Sequence, residues 1–276
     1  MENYKILNFH PIFSENAFCL SQRLGVEIVT NFEPQEGRTY IIYGAHDKAA
    51  ELYAIQQKYK NKFIIINSES PKSSHMRNKY YLDLMLCNIV FDYHTEATDY
   101  LKTLGIRVYS QHIFEFVYNP APDAKRDIDI FFTGCRNERR EKIFENLKKR
   151  YPDKNIVFNF DYSYADQSKL TEVLHRSKVV LNIPFYDHKI LETHRIHKAL
   201  ACGCEVVSLY SGHKETDDYY SQYVHMVHDL YEYFDSEEML PLHLTEKKLK
   251  YPHLIAFLSK HTKQIAWILE QLQKQF

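Results

Sequence analysis

Short apolar, β-rich runs alternate with amphipathic stretches along the first half of the chain. Lys5–Phe9, Val26–Thr30, Tyr40–Tyr43, Phe63–Ile66, Ile89–Tyr93 and Arg107–Tyr109 read as strands. Between several of them lie helical patterns. Asp47–Tyr59 carries Ala50, Leu52, Tyr53 and Ile55, Arg77–Leu86 carries Tyr80, Leu84 and Leu86, and Glu96–Leu104 stops at Gly105. The segment Val117–Arg126 breaks this rhythm. Its Pro120-Ala-Pro122 cannot continue a helix or a central strand, so it reads as a linker. The alternation then resumes with strands at Ile128–Phe132, Ile156–Phe160, Val179–Ile183 and Glu205–Leu209. Helices fall at Glu138–Lys149, Asp166–Arg176 and Glu192–Ala201. Leu254–Gln275 reads as a long amphipathic helix or a pair of them, with Ile255, Leu258, Ile265, Ile268 and Leu269 on its apolar side.

Strand–helix alternation of this kind predicts mainly parallel sheets covered by helices. The pattern, spread over 276 residues, gives an α/β protein of two Rossmann-like domains, residues 1–118 and 119–276. Such domains take ligands in a cleft beyond the carboxyl ends of their strands.

Composition narrows the field. Hydrophobic residues at 45% and charged residues at 26% are globular values that exclude disorder and collagen-like or coiled-coil repeats. The opening MENYKILNFH lacks the basic and apolar regions of a signal peptide, and no run nears the roughly 18 apolar residues of a membrane span. The expectation is a cytoplasmic chain without a transmembrane segment. A formal charge of −1 argues against a surface built mainly to hold nucleic acid. The five cysteines, Cys19, Cys87, Cys135, Cys202 and Cys204, form no CxxC pair, so reduced thiols are expected rather than disulfides or a zinc ribbon. Cys202-Gly-Cys204 with His194 or His197 fits no zinc spacing, and Asp127-Ile-Asp129 lies at a strand start. No metal is expected.

With only 7 glycines in the chain, each one informs on backbone geometry. Gly134 lies in Phe132-Thr-Gly-Cys-Arg-Asn-Glu-Arg-Arg140, where a strand turns into a helix starting near Asn137. Exposed amides at a helix start attract anions. Arg139 and Arg140 stand in its first turn, where the macrodipole disfavours cations, which suggests a compensating anion such as a phosphate or diphosphate. The alternative is a solvated helix start, with Glu138 paired to Lys142. Gly203 closes the second such segment, Val180–Val207. There Glu192 and Arg195 lie on or near the buried stripe of Ile196, Ala199 and Leu200, as a ligand contact, as an internal pair, or as both.

The stretch Leu200-Ala-Cys-Gly-Cys-Glu-Val-Val207, preceded by a strand and a polar loop, resembles the donor-binding segment of GT-B glycosyltransferases. The Phe132-Thr133-Gly134 turn and its arginines are similar to the phosphate-contacting loop of the same domain. The resemblance implies sugar transfer from a nucleotide-sugar donor to an acceptor hydroxyl on a glycan, lipid, protein or modified DNA base, as a hexosyl- or pentosyltransferase with no further cofactor. Gly134, Arg136, Arg139 and Arg140 would face the diphosphate, and Glu192, Arg195, His197 and Lys198 the ribose and sugar. It also implies terminal helices packing across the two domains. Many retaining members carry two glutamates eight positions apart; here Ile190 and Lys198 occupy those positions. The glutamate-to-ribose contact and the stereochemistry therefore do not carry over. A nucleotide-sugar epimerase of the same fold, or a silent nucleotide-sugar-binding module, would share these features.

Any general base is expected in the first domain, where Glu69, His10 and His94 follow strands. Glu69 has the strongest case, because an apolar strand opens there into a Ser/Pro loop. His10 follows it, matching by position a histidine that serves as base in some inverting members. Each could equally be a cap or a surface residue.

Overall fold

The computed structural model describes residues 3–112, 114–161, 166–186, 190–235 and 250–274. It divides into two compact units, Met1–Glu115 with Phe257–Phe276, and Phe116–Ala256. The sequence division at 118/119 put the whole C-terminus with the second domain. In the structure the last stretch belongs with the first.

The first unit holds a parallel sheet of β1 (Tyr4–Asn8), β2 (Ile28–Val29), β3 (Thr39–Tyr43), β4 (Lys62–Asn67), β5 (Ile89–Asp92) and β6 (Arg107–Ser110), in the order β2-β1-β3-β4-β5-β6. Its central strands are continuous apolar runs because both faces are covered. On one face Leu7, Ile42, Ile65 and Val90 form a core with Leu52 of α2 (Ala49–Tyr59), Leu84 of α3 (Lys79–Leu86) and Leu101 of α4 (Thr95–Thr103). A further helix, α1 (Ser14–Leu24), follows β1 and ends at Gly25 in the left-handed region.

The second unit repeats the plan. β7 (Ile128–Thr133), β8 (Ile156–Asn159), β9 (Ser177–Asn182), β10 (Glu205–Leu209) and β11 (His225–Val227) form a parallel sheet ordered β11-β10-β9-β7-β8. Its helices are α5 (Glu138–Arg150), α6 (Gln167–Arg176), α7 (Thr193–Ala201), α8 (Lys214–Tyr220) and α9 (Leu230–Asp235). Leu147 of α5 and Leu230 and Tyr233 of α9 pack on Ile130, Phe132, Leu181 and Val207. Gly203, at φ +74°, turns the chain from α7 into β10, a conformation that L side chains rarely adopt.

The expected C-terminal helix or pair is one helix, α10 (Lys250–Lys274). From Phe257 on it counts with the first unit, where Leu258, Ile265, Ile268 and Leu269 are buried. The Tyr4 hydroxyl donates to the Leu269 carbonyl at 3.0 Å. The charges of Glu246-Lys-Lys-Leu-Lys250 suggest a solvated helix start, but most of that run lies outside the described residues. Among the described residues, no helix is long and apolar enough to cross a membrane.

Both sheets place their first strand between their second and third. The strand order therefore reverses direction between β1 and β3 in the first unit and between β7 and β9 in the second. In open α/β sheets the crevice at the carboxyl ends of such a pair is where ligands bind.

Candidate functional site

At the β7/β9 reversal of the second unit, three charged side chains converge on Gly134. Asn137 caps α5 by accepting from the Arg140 amide at 2.8 Å, and its own amide donates to the Phe185 carbonyl at 2.8 Å. This cap fixes the first turn of α5 and sends Arg140 inward, where it is 1% exposed. Arg140 Nε and Nη2 donate to the Ile183 carbonyl at 3.1 and 2.5 Å, and Nη1 donates to the Cys135 carbonyl at 2.8 Å. Its Nη2 also meets Glu192 Oε1 at 2.7 Å. Glu192 stands before the first residue of α7 and accepts from the Phe185 amide at 2.9 Å. Its other oxygen lies 2.5 Å from Arg195 Nη2. Arg195 Nε donates to the Thr133 carbonyl at 3.0 Å and Nη1 to Asn182 Oδ1 at 2.7 Å. Both guanidinium groups lie over the Phe132 ring, 4.9 and 4.8 Å from its centroid.

This geometry explains the glycine. A Cβ at Gly134 would stand 2.8 Å from Arg195 Nη2 and 3.1 Å from Arg140 Nη1. The position is kept open by two arginines of the same chain. The anion that compensates Arg140 in the first turn of α5 is the Glu192 carboxylate, a partner that neither the ligand-anion nor the solvated-start reading of that turn contained, while the internal pair expected between Glu192 and Arg195 is present. Burial brings Arg140 down to about 10, opposed by Glu192, and it remains a cation at neutral pH. Burial acts to raise Glu192, but Arg195 and Arg140 outweigh it and hold the carboxyl below its ordinary value. Two cations against one anion leave the cluster net positive. Glu192 and Arg195 keep 27% and 12% of their side-chain surface open, so a ligand can reach the cluster from their side.

The other expected donor residues divide. Arg139 is half-buried on the first turn of α5 and has no ion pair or hydrogen bond among the described residues. Arg136 is exposed, pairs with Glu141 and lies over the Phe160 ring at 5.2 Å. His197 and Lys198 are both buried on α7. His197 Nε2 sits 2.8 Å from the Tyr220 hydroxyl with the two rings stacked, and Lys198 Nζ lies 5.3 Å from the Phe116 ring centroid. These contacts are made within the second unit and carry no sign of a ligand. Asn182, which orients Arg195 from the last position of β9, was not singled out by sequence reasoning.

The first unit places its own polar groups at the carboxyl ends of its strands. His10 caps the short turn Pro11–Phe13, its Nδ1 accepting from the Ile12 amide at 3.3 Å. Glu69 follows β4, and its Oε2 accepts from the Ser73 hydroxyl at 2.6 Å. Sequence reasoning missed His46, in the turn after β3. Its Nε2 lies 3.7 Å from Glu69 Oε1 and 3.6 Å from Asp47 Oδ1, and its ring centroid is 4.6 Å from that of His75. Behind them Asn67, the last residue of β4, accepts from the Tyr81 hydroxyl at 2.8 Å and the Glu69 amide at 3.2 Å. Asn67 Nδ2 donates to Asp92 Oδ2 at 2.6 Å. His94 is buried, and its amide donates to Asp92 Oδ1 at 2.8 Å.

Asp92 is 1% exposed. Burial pushes it up to about 7 against the hydrogen bonds from Asn67 and the His94 amide. Between its ordinary value and about 7 the folded chain keeps a proton that the unfolded chain has lost, so this group's contribution to stability falls as pH rises through that window. Relative to the wild type, Asp92→Asn is expected to gain melting temperature from pH 5 to pH 7.5. Parallel melting-temperature profiles for the two proteins would contradict this.

No family model and no curated protein matches the chain. Among solved structures it is similar to TarM, at 10% identity and a TM-score of 0.48, over 91% of this chain and 54% of that one. It is also similar to Anabaena HepE, solved with UDP-glucose, at 9% identity and a TM-score of 0.49, over 95% of this chain and 94% of that one. A third is the spinosyn rhamnosyltransferase SpnG with thymidine diphosphate, at 7% identity and a TM-score of 0.38, over 99% of this chain and 100% of that one. The chain thus spans about half the length of TarM. Likenesses this distant transfer no residue roles. Those rest on the side chains themselves.

Proposed function

We propose that this chain is a glycosyltransferase of the GT-B kind, which moves a sugar from a nucleotide-sugar donor to an acceptor hydroxyl and holds the donor on its second unit. The observation that carries the reading is the net-positive Arg140–Glu192–Arg195 cluster around Gly134, at the β7/β9 reversal. A diphosphate is the ligand class that suits it. Such a ligand brings several acceptor oxygens to arginines already fixed by backbone carbonyls, so little ordering is required on binding. In this reading the ligand shares Arg140 and Arg195 with Glu192, and among the described residues Arg139, on the same first turn of α5, is a further cation with no ion pair or hydrogen bond of its own. Lys198 is buried against Phe116 and takes no part in holding the ribose in this reading.

The test begins with UDP, thymidine diphosphate, UDP-glucose and related nucleotide sugars as ligands in melting and calorimetric titrations. Arg139→Gln is expected to weaken diphosphate binding about tenfold, the loss of one charge-assisted hydrogen bond, while leaving the melting temperature unchanged. Nucleotide release that depends on an added acceptor supports transfer. Sugar isomerisation without an acceptor would identify the epimerase, and binding with neither outcome the silent module. If no nucleotide or nucleotide sugar raises the melting temperature, the reading fails.

A further inference from the structure

We propose that the first unit binds an aromatic acid in a cavity at the amino ends of its strands, with Arg107 and Lys62 receiving the acid group. The cavity lies at the opposite end of the sheet from the β1/β3 crevice, so the proposal stands whether or not the chain transfers a sugar.

The floor of the cavity follows from the pairing register. Tyr4, Thr39 and Lys62 are neighbours in one row across β1, β3 and β4. Ile64, Ile89 and Arg107 form a second row across β4, β5 and β6. Lys62 and Ile64 stand two apart on one strand, so both rows face the same side of the sheet. That side is the one away from α2, α3 and α4, which pack on Leu7, Ile42, Ile65 and Val90. At the β1 end it is met by α10, where the Tyr4 hydroxyl donates to the Leu269 carbonyl. The six residues of the two rows line a cavity of about 680 Å3, within the size range of pockets that hold small molecules. Leu86 and Cys87, both exposed at the end of α3, line it as well, so it is open to solvent from there.

The lining selects the body of the ligand. Ile64, Ile89 and Leu86 offer apolar surface, and the rings of Tyr4 and Phe63 add aromatic contacts that favour a planar ring over an alkyl chain. The amides of the wall ask nothing of a ligand, because they are already satisfied. Gln56 Nε2 donates to Asn88 Oδ1 at 2.7 Å, and Asn88 Nδ2 donates to Gln56 Oε1 at 2.9 Å and to the Leu84 carbonyl at 2.6 Å. The Phe63 amide completes the set by donating to Asn88 Oδ1 at 3.0 Å. These bonds hold the ends of α2, α3 and β4 together and so keep the wall in place before any ligand arrives.

The charge of the ligand follows from the cations. Among the described residues no carboxylate lines the cavity, and none pairs with Arg107. Arg107 Nε and Nη2 donate to the Tyr109 hydroxyl at 3.2 and 3.1 Å. A neutral partner thus sets the guanidinium plane, and the charge and the two hydrogens of Nη1 are left for an anion. A helix carboxyl end is the other place where such cations serve. Arg107 is not used in that way, since it is held by Tyr109, and α2 carries its own Lys58 in its last turn. Lys62 stands two strands over from Arg107 and two residues down, about 12 Å between Cα positions, so both long side chains can reach one acid group.

The test uses the full chain and two fluorescent dyes that share an aromatic body. Anilinonaphthalenesulfonate carries an acid group and N-phenylnaphthylamine carries none. The sulfonate is expected to bind at one site per chain, at least fivefold more tightly than the neutral dye. Arg107→Gln should weaken sulfonate binding about tenfold, the loss of one charge-assisted hydrogen bond, and leave the neutral dye within twofold. Lys62→Gln should act in the same direction by about threefold. Equal affinities for the two dyes would overturn the proposal, as would an Arg107→Gln variant that binds the sulfonate within twofold of wild type.

Alkylation of the cysteines locates the site. Cys87 lines the cavity and Cys135 follows Gly134 in the second unit; both are exposed, whereas Cys19, Cys202 and Cys204 are buried. Saturating sulfonate dye is expected to slow iodoacetamide modification of Cys87 at least fivefold and to leave Cys135 unchanged, as read by peptide mass spectrometry. Cys87→Trp, which fills the cavity from its exposed edge, should abolish binding of both dyes. Protection of Cys135 in place of Cys87, or of neither, would overturn the proposal. UDP serves as the counter-probe. On the glycosyltransfer reading it slows modification of Cys135 and spares Cys87, so that reading and this one fail separately.

Discussion

Glu192→Gln is expected to lower the melting temperature of the second unit by about 10 °C. The carboxylate is the charge partner of two arginines, one of them 1% exposed. Removing one member of a buried ion pair leaves an uncompensated buried charge, which costs about 3–5 kcal/mol. At roughly 2–4 °C per kcal/mol for a domain of this size, the predicted shift follows. Glutamine preserves the shape and can still accept from the Phe185 amide, so the loss is electrostatic in origin. The same substitution should increase affinity for inorganic pyrophosphate, because two guanidinium groups then face the ligand without a competing carboxylate. Inorganic pyrophosphate should accordingly raise the melting temperature of the variant more than that of the wild type. A variant that melts within 2 °C of wild type would sink the account of the cluster. Weaker pyrophosphate binding would show instead that Glu192 helps to hold the ligand.

Gly134→Ala carries the second large effect, and it is steric. Gly134 is absent from the positive-φ positions, so alanine meets no backbone penalty there. The new methyl would stand 2.8 Å from Arg195 Nη2, 3.1 Å from Arg140 Nη1 and 3.1 Å from the edge of Phe132. Guanidinium groups at a surface would swing aside, but these are pinned by the carbonyls of Ile183, Cys135 and Thr133 and by Asn182. Overpacking of this kind costs about 1–3 kcal/mol. Displacing both arginines should also weaken diphosphate binding at least tenfold. Denaturant melts and calorimetric titration check the two parts separately. Stability within about 0.5 kcal/mol of wild type, with affinity retained, would mean that the arginines move freely.

The strand–helix alternation was legible because parallel strands buried on both faces are written as apolar runs, and β3, β4, β7 and β9 are such runs. α1 escaped notice for a physical reason. It buries Asn16 and leaves Phe18 48% exposed, so its hydrophobic pattern does not match the face it buries. β2 was expected over Val26–Thr30 but pairs through only Ile28 and Val29, as befits an edge strand held from one side. In the candidate site, Arg140 was visible as a cation in a helix turn that disfavours cations. Its partner was not, because Glu192 lies 52 positions later and only the β7–β9 pairing brings the two together. His46 gave still less signal. It sits in the plain polar turn Gly-Ala-His-Asp-Lys, and its relation to Glu69 exists only once β3 and β4 lie side by side.

The assignment of the last helix to the first unit has a consequence for the order in which the molecule is made. Synthesis runs from the N-terminus, so β1 to β6 and the whole of the second unit leave the ribosome before residues 257–276 do. Until then Tyr4 has no Leu269 carbonyl to meet, and the surface that Leu258, Ile265 and Ile268 will cover stays open. The part of the chain translated first is thus the part completed last. A nascent chain stalled before residue 257 should carry a finished second unit and an unfinished first.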